Sequence, residues 1–226
     1  NLWGGACRVH EIELVAQRYG VPLYFDSAQA FGSTVGGQPI GCFGKAEVFS
    51  FHATKMMNTT EGGCITTNED EVAERLRNIR SSYGVRTLVQ VNRTANGRMS
   101  EAQAAIGLLS LEDIESRMTR NHALHENYRS MLAGLPGLKI LLPPNVDSSN
   151  YQYLICEIDE DEFGLSRDEL HRVLHAENIV ARRYFTPGIH RSPPFDALVP
   201  EGECFLPKTD KLSEIVLQLP LGARVG

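Results

Sequence analysis

The sequence predicts an α/β fold with a mostly parallel sheet, followed by a smaller α+β unit toward the C-terminus. A predicted helix precedes the short apolar strand VPLYFD, as in folds that lay helices on a sheet face. A long helical stretch occupies the middle of the chain, and short strands alternate with one helix after Lys139. We therefore expect a larger domain over residues 1–115 and a smaller C-terminal domain over residues 116–226.

The first elements are predicted from periodicity and turn residues. VHEIELVAQRY is a predicted helix that Gly20 ends, and its apolar face is Val9, Ile12, Val15 and Ala16. VPLYFD follows as a short buried strand that ends in Asp26. GSTVGGQPIG is typical of a hairpin that turns at Gly36 and Gly37, where a positive φ costs glycine little.

The remaining segments are predicted as four strands and three or four helices. AEVFSFHA and GGCITTN are the first two strands, and NEDEVAERLRNIRSSYG is a helix with Asn68 as its cap and Gly84 as its stop. The polar residues 85–97 indicate an extended loop. One long helix or two joined helices then run to Pro136 and Gly137. YQYLICEI, SRDELHRVLHAEN and IVARRYF predict a strand, a helix and a strand.

The composition excludes several classes of protein. The formal charge of −6 and the pI near 5.7 argue against general binding of nucleic acid or anionic membranes. No apolar run approaches the ~20 residues that span a bilayer. The five cysteines are scattered and odd in number, which favours reduced thiols and a cytoplasmic protein.

A lysine and an aspartate mark a candidate catalytic site. Lys55 follows the apolar strand AEVFSFHA, and Asp26 ends VPLYFD. Ligands of open α/β sheets bind outside the carboxyl ends of the strands, so we expect the two groups to meet there. A Schiff-base lysine needs a pocket that keeps it partly neutral, and pyridoxal phosphate needs a carboxylate at its ring nitrogen. The pair therefore predicts a pyridoxal phosphate site.

The motifs around these residues resemble one family closely. D-x-A-Q, S-F-H-A-T-K and E-G-G occur at the spacings found in the DegT/DnrJ/EryC1/StrS sugar aminotransferases, and the similarity extends through NGRMSEAQAAIGL to ARRYFTPGIHRSPPF. The resemblance implies an aspartate-aminotransferase-like fold (fold type I) and pyridoxal 5'-phosphate as cofactor. Dehydratase relatives replace the lysine with histidine. Retention of Lys55 therefore favours transamination.

The resemblance also implies a role for each site residue. Asp26 would pair with the pyridine nitrogen, Gln29 would lie by the ring hydroxyl, Ser50 would bind the phosphate and Lys55 would hold the cofactor covalently. Asn96 would reach the phosphate of a neighbouring subunit, so that a homodimer shares its sites. The family places a further phosphate loop and a stacking aromatic ring upstream of the region that matches Asn1. We therefore expect the chain to be a fragment that lacks the family's N-terminal part.

The substrates implied are L-glutamate and a nucleotide-sugar. FSFHATK followed by EGG resembles members that convert dTDP-4-keto-6-deoxyglucose to dTDP-4-amino-4,6-dideoxyglucose. In the family the segment that matches ARRYFTPGIH faces the nucleotide-sugar, so the resemblance implies that Arg183, Tyr184 and His190 lie near it, and the paired donors of arginine suit a diphosphate. A 3-keto-sugar aminotransferase, a GDP-4-keto-sugar aminotransferase and a non-catalytic regulatory or binding relative remain alternatives.

No metal site is expected. His171 and His175 share one helix face at i,i+4, which is a possible ligand spacing. No second cluster of ligands lies nearby in the sequence, so an ordinary surface helix is the favoured interpretation.

Overall fold

The computed structural model describes residues 1–81, 86–198, 206–223 and 225. The chain packs into two compact units. The first comprises Asn1–Arg120 and Pro143–Gln152, and the second comprises Asn121–Leu142 and Tyr153–Gly226. The chain thus enters the second unit, returns briefly to the first and then leaves it again. The domain limits expected from the sequence stay a prediction.

The first helix, α1 (Val9–Tyr19), forms where the sequence predicts it. Gly20 ends it in the left-handed conformation at φ 62°, which glycine adopts without the penalty that a Cβ would add. Within the predicted apolar face Val9 and Ala16 are buried, whereas Val15 is 57% exposed. The buried stripe is therefore narrower than the spacing predicts.

The sheet of the first unit combines parallel and antiparallel pairing. Its strands and those of a separate hairpin are, in chain order, β1 (Tyr24–Asp26), β2 (Thr34–Val35), β3 (Gln38–Pro39), β4 (Ala46–Ser50) and β5 (Gly63–Thr66). The sheet has the order β1-β4-β5, with β1 parallel to β4 and β4 antiparallel to β5. The expected parallel pairing is thus found for β1 and β4 but not for β4 and β5. Parallel neighbours need a long crossover connection, and β4 and β5 are joined without a crossover helix.

The predicted hairpin is confirmed. Strands β2 and β3 pair antiparallel, and Gly36 and Gly37 have φ values of 57° and 75°. A two-residue turn that continues the strand twist requires positive φ at both central positions, so the two glycines account for the turn.

The two faces of this sheet differ in burial. Phe25 and Phe49 point into a core of Ala6, Val9, Phe25, Ala30, Ile40, Phe43, Phe49, Phe51 and Met57. On the other face Tyr24 is 56%, Val48 44% and Ile65 46% exposed. VPLYFD was expected to be a buried strand, and within β1 this is wrong for Tyr24 and Asp26, because alternate residues of a strand face opposite sides. Asp26 lies on the exposed face.

Three helices complete the first unit and lead into the second: α2 (Asp70–Arg80), α3 (Glu101–Glu112) and α4 (Ile114–Met131). The central helical stretch is therefore two helices that meet at Asp113. Asn68 does not cap α2. Glu69 holds the cap position, and Asn68 Nδ2 donates instead to the Cys42 carbonyl at 3.1 Å. Gly84, the expected stop, lies outside the described residues.

The second unit is built on an antiparallel sheet. Its elements in chain order are β6 (Leu138–Leu141), β7 (Leu154–Ile158), α5 (Glu160–Phe163), α6 (Arg167–Ala176), α7 (Pro207–Ile215) and β8 (Val216–Leu219). The sheet order is β6-β7-β8, and the core includes Leu154, Cys156 and Leu217. Ser166 and Glu169 start α6 with reciprocal capping bonds.

The strand predicted over IVARRYF is absent from the described structure of this segment. Arg182 and Gln218 form an isolated antiparallel bridge, in which the backbone N–H of each donates to the carbonyl of the other at 2.9 Å. Phe185 then takes a φ of 52°, which turns the chain out of an extended conformation. Among the described residues of both units, no helix has the length and apolarity needed to cross a membrane.

Candidate active site

Strands β1 and β4 bring the predicted acid and lysine together. Asp26 is the last residue of β1 and Ser50 the last of β4, and parallel pairing sets Asp26 opposite Val48. The carboxyl ends of both strands therefore lie at one edge of the sheet, where ligands of such sheets bind. The strand AEVFSFHA was predicted to run almost to Lys55, but β4 ends at Ser50. Lys55 therefore lies in the loop between β4 and β5.

Lys55 is half-buried, and its backbone N–H donates to the His52 carbonyl at 2.9 Å. Burial lowers the pKa of the Lys55 amine, and the Asp26 carboxylate acts in the opposite direction and raises it. The net pKa lies below the ordinary lysine value. The two side chains are thus close enough to interact, and Lys55 loses its proton more readily than a surface lysine.

Gln29 and Ser50 lie close to this pair along the chain. Gln29 is buried, and its Oε1 accepts a hydrogen bond from the backbone N–H of Trp3 at 3.0 Å. Ser50 is half-buried, and its Oγ accepts from the His52 N–H at 3.3 Å. Asp26 Oδ1 accepts from the Ala28 N–H at 3.0 Å, which orients the carboxylate at the turn after β1. These hydrogen bonds help to orient the Gln29 amide, the Ser50 hydroxyl and the Asp26 carboxylate.

Two further residues, missed by the sequence analysis, contact the site from the returning segment. Gln152 Nε2 donates to the Thr54 carbonyl at 2.6 Å, and its Oε1 accepts from the Met56 N–H at 2.8 Å. Asn150 is fully buried and donates to the carbonyls of Gln29 and Phe31, at 3.0 Å each. Amide side chains that bond backbone groups about a hundred residues away leave no spacing signal in a sequence.

Asn96 lies in an exposed segment, as predicted. Its Oδ1 accepts from Arg98 Nε at 3.2 Å. The residues on either side are attached to the end of α2: Ala95 N–H donates to the Ile79 carbonyl at 2.7 Å, and Gly97 N–H to the Arg80 carbonyl at 3.1 Å. The segment is therefore held by its backbone, which leaves the Asn96 side chain at the surface.

Arg183, Tyr184 and His190 lie in the second unit. Arg183 is exposed, and its Nη1 lies 3.7 Å from Asp168 Oδ1. The Tyr184 ring packs edge-on against Tyr153 with a centroid separation of 5.7 Å. Burial, followed by the proximity of Tyr184, raises the pKa of Tyr153, which keeps that phenol protonated.

His190 belongs to a charged cluster that the sequence did not predict. Its Nε2 lies 2.8 Å from Asp210 Oδ1, and Arg191 binds both oxygens of Asp210 at 2.6 Å. The hydrogen bonds from Arg191, above all, lower the pKa of the Asp210 carboxyl to about 2. Asp210 thus stays ionised and fixes the orientation of both neighbouring side chains.

The two helical histidines are close but do not form a metal centre with other groups. The His171 and His175 rings are 4.2 Å apart, and His175 Nε2 lies 2.8 Å from the Ala181 carbonyl oxygen. Within the described ranges, no group of three or more His, Cys, Asp or Glu residues is arranged to hold a metal ion.

Two curated proteins similar to this chain are named as transaminases of dTDP-linked amino sugars. The dTDP-4-amino-4,6-dideoxy-D-glucose transaminase of Shigella dysenteriae is 35% identical over 100% of this chain and 61% of its own length. The dTDP-3-amino-3,4,6-trideoxy-alpha-D-glucose transaminase of Streptomyces venezuelae is 30% identical over 98% of this chain and 57% of its own length.

One solved structure is similar over the whole of this chain. The structure of DesI in the presence of its TDP-sugar product matches 100% of this chain and 57% of the DesI chain, at 40% identity and a TM-score of 0.90. This chain therefore spans about three fifths of the length of the relatives it matches. The DegT/DnrJ/EryC1/StrS aminotransferase family model matches residues 1–226, and the chain belongs to that family.

Proposed function

We propose that this chain is part of a pyridoxal 5'-phosphate-dependent aminotransferase that moves an amino group from L-glutamate to a keto-sugar nucleotide. The observation that carries the proposal is the electrostatic interaction of Lys55, in the loop that follows β4, with Asp26, at the end of the parallel strand β1. The substrate proposed is dTDP-4-keto-6-deoxyglucose, and the product is dTDP-4-amino-4,6-dideoxyglucose. The Shigella relative is a transaminase named for that amino sugar.

The residues present fit this cofactor. An amine that attacks an aldehyde must be neutral, and burial lowers the pKa of Lys55 in that direction. The exposed carboxylate of Asp26 meets the requirement for an anion near the ring nitrogen. Asp26, Gln29, Ser50 and Lys55 would hold the cofactor, which when bound withdraws electrons from the carbon atom that bears the amino group.

Each side chain then has a distinct task. The Lys55 Nζ takes a proton from the α-carbon of glutamate and returns one at the end of the transfer, as a general base and acid. Asp26 keeps the ring nitrogen protonated by its negative charge. Ser50 contributes a hydroxyl donor for phosphate, and the amide of Gln29 is oriented by its bond to Trp3.

Other parts of the chain are proposed to contact the sugar nucleotide and a second subunit. Arg183, Tyr184 and His190 are assigned to nucleotide-sugar binding, with the Arg183 guanidinium suited to a diphosphate. Asn96 is assigned to the phosphate site of the partner in a homodimer. Thiols at Cys7, Cys42, Cys64 and Cys156, none in a disulfide, accord with an enzyme of the cytoplasm.

A second candidate is transamination at C3 of a dTDP-sugar. The Streptomyces venezuelae relative is named for that position and is 30% identical, against 35% for the Shigella relative. The higher identity to the Shigella relative favours amination at C4.

The experiment that tests the proposal is a screen of keto-sugar nucleotides with L-glutamate and the intact protein that carries this chain. Mass spectrometry of the products should show an amino-sugar nucleotide together with 2-oxoglutarate, and the position of the amine separates the two candidates. A protein that binds the cofactor but aminates none of the dTDP- and GDP-linked keto-sugars would contradict the proposal.

A further inference from the structure

Gln152 contacts the backbone on both sides of Lys55. Its Nε2 donates to the carbonyl of Thr54 and its Oε1 accepts from the N–H of Met56. One amide thereby bonds the peptide groups before and after the lysine, as a neighbouring strand would. Met56 is 2% exposed, so the second bond also satisfies a backbone donor that water does not reach easily.

The Lys55 backbone is held from within the loop as well. Its own N–H donates to the His52 carbonyl at 2.9 Å, while Thr54 Oγ1 lies 2.9 Å from His52 Nδ1. Rotation of the Lys55 peptide would therefore break several hydrogen bonds. These contacts set the direction in which the side chain leaves the backbone, and the two from Gln152 come from outside the loop.

Gln152 is itself anchored to the turn that follows β1. Its N–H donates to Asn150 Oδ1 at 3.0 Å, and Asn150 Nδ2 donates to the carbonyls of Gln29 and Phe31. Asn150 is fully buried, and its N–H donates to Ser33 Oγ at 3.1 Å. The segment of residues 150–152 thus ties the turn of Gln29 to the loop of Lys55.

We propose that Gln152 is a positioning residue for Lys55, which fixes the place of the Nζ relative to the turn after Asp26. This inference rests on the function proposed for Lys55. Enzymes depend on such placement, since an error of about 1 Å can reduce a rate roughly a hundredfold. Gln152 itself touches neither cofactor nor substrate in this proposal.

The test compares Gln152→Met, which removes both hydrogen bonds at similar length, with Asn145→Asp. Asn145 lies on the same segment and donates from Nδ2 to the Ala6 carbonyl at 2.9 Å, so the control removes a comparable bond away from Lys55. Gln152→Leu also removes both hydrogen bonds without adding a charge and serves as a second variant if Gln152→Met fails to fold.

The first readout is competitive acetylation of lysines in the cofactor-free intact protein across pH, with the Lys55 peptide quantified by mass spectrometry. The proposal expects the Gln152 variants to change the pH profile of Lys55 labelling while Lys45 and Lys139 label as before, and Asn145→Asp to match the wild type. Equal profiles in all proteins, or equal changes in Asn145→Asp, would overturn it.

The second readout uses the loaded enzyme. The kcat should fall about tenfold or more in the Gln152 variants, with the KM for glutamate nearly unchanged. An unchanged kcat would also overturn the proposal. If borohydride treatment of the wild type placed no cofactor on Lys55, the proposed function would fail, and the acetylation profile would still decide whether Gln152 positions this amine.

Discussion

The Asp26 carboxylate, at the end of β1, raises the pKa of the Lys55 amine in the loop after β4, while burial lowers this pKa by more. The two effects oppose each other. Their balance leaves an amine that deprotonates at a lower pH than an ordinary lysine and that remains next to a negative charge. In the role proposed for Lys55, the amine must be neutral to attack and charged to return a proton, and both influences serve that role.

Borohydride reduction of the intact protein should attach the cofactor permanently to Lys55. Lys55 is half-buried near Asp26, whereas Lys45 forms a surface ion pair with Glu69 at 3.3 Å. Peptide mapping by mass spectrometry should therefore find the added mass on Lys55. Lys55→Ala should carry none, and a label on Lys45 or Lys139 in the wild type would contradict the assignment.

Asp26→Asn should retain the cofactor but slow turnover by about a hundredfold, a loss typical of proton-transfer groups. A neutral amide cannot hold the ring nitrogen protonated, so proton abstraction by Lys55 loses its electron sink. Steady-state kinetics and the absorbance of the bound cofactor measure the two effects separately. Glu11→Gln, an exposed change on α1, is the control, and near-normal turnover in Asp26→Asn would count against the role.

The same Asp26→Asn change should lower the pKa of Lys55 further. The carboxylate is the group that raises this pKa, and its removal leaves the opposing effect of burial. The midpoint of Lys55 acetylation in the cofactor-free protein should thus move to lower pH. A midpoint that moves upward would show that Asp26 does not act on the amine.

Two inactive proteins should restore activity when mixed, if Asn96 completes the site of a neighbouring subunit. Asn96 is exposed in a segment attached to the end of α2, which permits contact with another chain. In a heterodimer of Lys55→Ala with Asn96→Ala, both lesions fall in one site and the other site is intact. Partial activity after subunit exchange is expected. Lys55→Ala alone, taken through the same exchange procedure, is the control. A mixture of the two variants that exchanges subunits yet stays inactive would refute the sharing of active sites between subunits.

Asp210→Asn should destabilise the protein at neutral pH and lose that effect in acid. The pKa of Asp210 is lowered to about 2 in the folded protein, against about 3.9 in an unfolded chain. Its stabilisation is present above about pH 4 and disappears as the pH falls toward 2. Melting temperatures of wild type and variant should therefore converge over that range, while Asp196→Asn should differ little from wild type at any pH. If the difference in melting temperature between wild type and Asp210→Asn stayed the same at every pH, the ion pairs of Asp210 would be excluded as the cause of the destabilisation.

Local features of the fold could be predicted from the sequence. Gly36 and Gly37 determine the hairpin because few other residues accept two successive positive φ values. Asp26 and Lys55 could be identified as a pair because strand ends collect at one edge of a sheet. In each case the cause lies in a few neighbouring residues or in a general rule of α/β topology.

Features that depend on long-range contacts could not be predicted. Gln152 bonds groups 96 and 98 positions away in the sequence, and Asp210 joins His190 across 20 positions. Asn68 looks like a helix cap by type, but the Cys42 carbonyl competes for its side chain. Such partners become visible only when the chain is folded.

The route of the chain has a consequence for protein engineering. Residues 143–152 return to the first unit after an excursion into the second, so a single cut in α4 does not separate one unit from the other. A chimera that exchanges everything after residue 120 with a relative would also import a foreign segment against the Lys55 loop. If Gln152 positions Lys55 as proposed, loss of turnover in such a hybrid would reflect altered hydrogen bonds to the Lys55 loop and not a change of sugar specificity. A graft that keeps residues 143–152 native avoids that confusion.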